Sequence, residues 1–130
     1  MTMKTQPEED DETTYVIVSL TIHSAHPIAA LSVFSEDGPT SSPSDEHHYE
    51  VHRASFSEAD WSVRAERLDK AVNEALDKLD QTGLDTAELH HPAVFVRAFF
   101  TFGRGAETLS AEMVGRLARV HATIWIDANG

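Results

Sequence analysis

Histidine is the side chain best suited to chemistry in this chain. Eight of them are present, mostly clustered: His23 with His26, His47 and His48 with His52, and the adjacent His90 and His91. The absence of cysteine excludes a thiolate-bound zinc or iron–sulfur centre, a thiol nucleophile and a disulfide framework, so only imidazole and oxygen ligands remain. A set drawn from His23, His47, His48 and His52 would suit a metal-binding protein or a small-molecule enzyme. Spacing argues against it. On a strand the rise of ~3.3 Å per residue puts the Cα atoms of His48 and His52 ~13 Å apart, too far to share an ion. The intervening Tyr49-Glu50-Val51 does not have a helical pattern that would shorten that distance. A composite of His23, His52 and a carboxylate such as Asp127 would need the tertiary fold to assemble it.

Other catalytic signals are missing. The chain has no Gly-rich phosphate loop, no Gly-x-Ser-x-Gly elbow and no His-Glu-x-x-His helix. Gly103-Arg104-Gly105 reads as a bend, and Asp77 with Asp80 as ordinary solvated helix surface. No catalytic residue and no cofactor is expected.

Charge narrows the partners. With 22 acidic and 10 basic residues the formal charge is −12, a field that repels phosphate backbones and disfavours nucleic acid. Residues 1–13 hold the run Glu8-Glu9-Asp10-Asp11-Glu12 and read as a disordered acidic tail ahead of one domain over residues 14–130. That start is unlike a signal peptide, and no window approaches the ~20 apolar residues that span a bilayer. A cytoplasmic protein without a membrane role is expected.

The elements that must position any site follow from periodicity. Val16, Val18, Leu20 and Ile22 alternate with Tyr15, Ile17, Ser19, Thr21 and His23, which predicts a strand with its apolar face on the even positions. Pro27 can open a short helix over 28–34 that packs Leu31 and Phe34. Residues 35–47 read as a polar loop, and 49–56 as an edge strand with diluted alternation.

A long helix is predicted over Trp61–Gln81. Ala65, Leu68, Val72, Ala75 (or Leu76) and Leu79 line its inner stripe, Asp60 or Ser62 caps its start, and Gly83 ends it. Asp85 can cap one more turn before Pro92. The strand over 93–102 buries Val94, Val96, Ala98, Phe100 and Phe102. A last helix, capped by Ser110 with Leu109 stapled to Val114, presents Met113, Leu117 and Val120 inward. The strand over 122–127 closes the pattern. Amphipathic helices set against strands with one polar face predict a two-layer α+β fold, a four-stranded mixed sheet with helices mainly on one face.

The first strand ending in Ile-His, the proline-led short helix, Trp61 before the long helix and Leu89 after it are joined by Leu109-Ser110-Ala111-Glu112 and the closing Ile124-Trp125-Ile126-Asp127. In this order they resemble a bacterial domain-of-unknown-function family, number 4279, over residues 13–127. The resemblance implies a small stand-alone bacterial α+β protein and carries over no activity, cofactor or catalytic residue. The loop over 38–45 departs from the family by lacking a lysine-glycine punctuation.

A two-layer fold leaves one sheet face without helices. On the odd register that face would carry Tyr15, Ile17, Phe95, Arg97, Phe99 and Trp125, residue types enriched at interface hot spots. The expected function is therefore a non-enzymatic protein-interaction module that forms a homodimer through this face. The alternatives are a cytosolic immunity or antidote protein that binds a toxin there, and the histidine-based chemistry above.

Overall fold

The helices lie on one side of the sheet because both crossover connections step across it in the same direction. The computed structural model describes residues 15–34, 47–103 and 107–128. The acidic segment over 1–13 and the loop over 38–45 fall outside that set. In chain order the elements are β1 (Tyr15–Ser24), a 3-10 turn (Ala29–Phe34), β2 (His47–Ser57), α1 (Trp61–Gln81), α2 (Thr86–Leu89), β3 (Val94–Phe102), α3 (Ala111–Arg119) and β4 (Ala122–Ala128).

The strands are ordered β2-β1-β3-β4, with β1 antiparallel to both its neighbours and β3 parallel to β4. The connection from β2 to β3 passes over β1, and that from β3 to β4 continues the same way. Right-handed crossovers that advance in one direction place their helices on one face. This is the mixed four-stranded α+β architecture expected from the periodicity.

The even register of the central strands forms the core. Val16, Val18, Leu20 and Ile22 of β1 and Val94, Val96, Ala98, Phe100 and Phe102 of β3 are buried with Leu68, Val72, Ala75, Leu76 and Leu79 of α1 and Met113 and Leu117 of α3. The 3-10 turn adds Leu31, and Tyr49 Oη accepts the backbone N–H of Ile28 at 2.9 Å to hold that turn on β2. Local chemistry sets the helix ends. Asp60 accepts from the N–H groups of Ser62 and Val63, Asp85 from Ala87, and Ser110 from Met113, while Gly83 (φ +75°) ends α1 as only a residue without Cβ does cheaply. The carboxyl of Asp60 is held below its usual range by the Ser62 hydroxyl and then by those backbone N–H groups.

Several local expectations change in three dimensions. At the start of α1 the buried residue is Arg64, whereas Ala65 is only half-buried. Leu109 packs against the core, and Val114 keeps 38% of its surface. Asp77 and Asp80 receive Arg116 Nη2 of α3 at 3.3 and 3.2 Å, and Arg116 Nη1 donates to Asn73 at 2.9 Å. With Ser110 Oγ donating to Asp69 at 2.8 Å, these contacts join α3 to α1.

Candidate functional site, the helix-free sheet face

Strand register gathers all six predicted contact residues on the side opposite the helices. Directly paired residues project to the same face. Ile17 meets Thr101, Ser19 meets Phe99, Thr21 meets Arg97 and His23 meets Phe95, and across β4 Phe99 lies beside Trp125 and Arg97 beside Thr123. Tyr15 shares the face at the end of β1. The same register brings His23, Thr101, Thr123 and Asp127 here. Sequence reasoning did not assign Arg53, Glu50 and His48 of β2, which join through their pairing with Ser19, Thr21 and His23.

The centre of the face is an aromatic stripe around one guanidinium. Arg97 lies 4.8 Å from the Trp125 ring centroid and 5.6 Å from that of Phe95, within cation–π range. Trp125 meets Phe99 edge-on at 6.1 Å, and Phe95 approaches His23 at 6.1 Å. Phe95 and Trp125 remain 41% and 51% exposed. Among the described residues the Arg97 Nε is buried without a hydrogen-bond partner, and the faces of two rings lie beside the guanidinium. Arg53 and Arg97 balance Glu50 and Asp127, which leaves the face without net formal charge in a chain of −12.

The four histidines of the metal alternative divide between the two faces, and a bulge is the cause. Leu20 pairs with His52 and Thr21 with Glu50, so Val51 is an extra residue in β2. One inserted residue reverses which positions face the helices. His48 therefore stands on the helix-free face against His23, with ring centroids 4.3 Å apart, while His47 and His52 point to the helix side. His23, His52 and Asp127 are likewise not brought together. Among the described residues no group of three or more His, Asp or Glu side chains is placed to hold a metal ion. His26 meets His91 edge-on and His90 stacks with His121 instead.

His52 lies in an open groove of about 550 Å³ with Val33, Phe34, Val51 and Lys78. Lys78 has only protons to donate and reaches Nδ1 at 2.9 Å, so the ring proton belongs on Nε2, 3.7 Å from Glu74 and without a hydrogen-bond partner. Burial lowers the His52 pKa below 6.5, the Lys78 charge lowers it further, and Glu74 opposes both. The folded state thus prefers the neutral ring. Its contribution to stability is complete above pH 6.5 and is lost as pH falls through the depressed folded value. His52→Asn is expected to flatten that part of the stability curve in urea titrations at stepped pH. An unchanged slope would contradict this assignment.

The molecule is thus a two-layer α+β domain with an aromatic, charge-balanced sheet face to which no described helix is packed. Comparison with protein-family models, curated proteins and solved structures finds no match for the chain. Among the described residues no helix is long and apolar enough to cross a membrane.

Proposed function

We propose that the protein is a non-enzymatic protein-interaction module that self-associates through the helix-free sheet face. The observation that carries this is the stripe of Phe95, Arg97, Phe99 and Trp125, two of whose rings stand 41% and 51% exposed. Aromatic and arginine side chains are enriched at interface hot spots, the rings because they bury large area with few rotatable bonds to freeze and the guanidinium because it stacks on such rings. A second copy is favoured as occupant by charge. Two chains of −12 repel at a distance, but this face has two arginines against two carboxylates, so a copy can approach it without bringing like charge into contact.

Sedimentation velocity at micromolar concentration tests the proposal. The wild type should sediment above the monomer mass, and Phe95→Asp should weaken association roughly 30-fold, the effect of losing a hot spot worth about 2 kcal/mol. Phe95 is half out of the fold already, so circular dichroism should show the variant folded. A monomeric wild type would reject self-association.

A further inference from the structure

The two edges of the sheet differ in how they are protected. The β2 edge carries the Val51 bulge, the charges of Glu50 and Arg53, and the 3-10 turn packed against it. Bulges, charges and covering elements are the usual defences of an edge strand. Among the described residues β4 pairs only with β3, in unbroken register, and Ala122–Ala128 contains no proline, no lysine or arginine, and Asp127 as its single charge.

Exposure on β4 indicates the direction from which a partner would come. Trp125 is 51% exposed on the helix-free face. Its neighbour Ile126 is 50% exposed on the other side, where it pairs with the fully buried Phe100. A partner laid on the helix-free face would cover Trp125 and leave Ile126 in water, and one on the helix side would do the reverse. A strand added edge-on lies beside both and also takes up the N–H and C=O groups that alternate residues of an edge strand point outward.

The sequence of β4 indicates which strand. Thr123-Ile124-Trp125-Ile126-Asp127 is nearly palindromic about Trp125. An isologous contact requires each residue to meet the counterpart of its own partner. Antiparallel pairing centred on Trp125 sets Ile126 beside Ile124 of the other copy on the helix side. It also sets Asp127 beside Thr123 of the other copy, where the hydroxyl donates to the carboxylate, so the two Asp127 charges never face each other.

We infer that the free edge of β4 is a strand-pairing site for a second copy of this chain, joining two sheets into one of eight strands. This contact is distinct from the face contact proposed above: it shares Trp125 with that face and adds Ile124, Ile126 and the outward backbone groups of β4. Engineered cysteines test it in a chain that has none. Ile124→Cys and Ile126→Cys chains, mixed under oxidised glutathione, should form a mixed disulfide in large excess over either like pair. Directly opposed Cα atoms lie ~4.5–5.5 Å apart, within disulfide range, whereas diagonal ones lie ~7–8 Å apart. A statistical mixture of the three products, or no disulfide, would overturn the edge site. The same excess should persist in a Phe95→Asp background, which removes the face contact alone. Its disappearance there would also overturn an independent edge site.

Discussion

Replacing Arg64 with alanine is expected to destabilise the fold by about 3–5 kcal/mol, the usual cost of stranding one member of a buried ion pair. Arg64 Nε donates to Glu107 Oε2 at 2.6 Å, with side-chain exposures of 10% and 4%, and Nη1 donates to the carbonyls of Glu58 and Ala59 at 2.7 and 3.2 Å. Alanine leaves the Glu107 carboxylate buried with no cation beside it and two backbone acceptors without that donor. Because 43 residues separate the partners, the pair ties the start of α1 to the segment entering α3, and both attachments loosen together. The double variant Arg64→Met with Glu107→Leu removes the charges as well as the bond, and should recover most of the loss. Urea denaturation of the three variants measures both effects. A loss below about 1 kcal/mol for Arg64→Ala would show that water reaches the pair and screens it.

Phe100→Ala should cost a similar amount, about 3–5 kcal/mol, for a different reason. Phe100 is fully buried on β3, a central strand, and stacks on Phe102 at 6.1 Å. Truncation removes transfer free energy and opens a cavity that rigid strands on either side cannot close. In a domain of this size such a loss lowers Tm by roughly 10 °C or more. The neighbouring register provides the control. Phe95 lies five residues earlier on the opposite face and is 41% exposed, so Phe95→Ala should leave the melting temperature of the monomer nearly unchanged while weakening self-association. If the two substitutions proved equally destabilising, the division of β3 into a core side and a contact side would be wrong. Scanning calorimetry paired with sedimentation separates the two readouts.

Much of this architecture is local, and the local part was legible in the letters. Alternation over 15–24 and 94–102 specifies which side of each central strand is buried, because a strand has a period of two whatever it packs against. The three-and-four spacing from Leu68 to Leu79 and the caps at Asp60, Asp85, Ser110 and Gly83 depend on groups within one turn of each other. The placement of the six predicted contact residues on the helix-free face was foreseeable for the same reason. Their parity places them on it once helices cover the other side.

Tertiary structure decided everything that depends on pairing between distant segments. Composition gave no sign of the Val51 bulge, yet this one residue sends His48 and His52 to opposite faces and divides the histidines that proximity in sequence had grouped. Apolar periodicity marked Ala65 as the inner position of the first helical turn. Arg64 holds it instead, because Glu107 arrives from across the fold to balance its charge. Ile126 fits the same alternation as Ile124 and still stands half in water, because β4 lies at the edge of the sheet, where coverage by the helices thins out. Period and capping chemistry act over a few residues and are fixed by neighbours along the chain. Strand order, bulges and buried ion pairs are settled by contacts among segments tens of residues apart, whose energies exist only once the chain has folded.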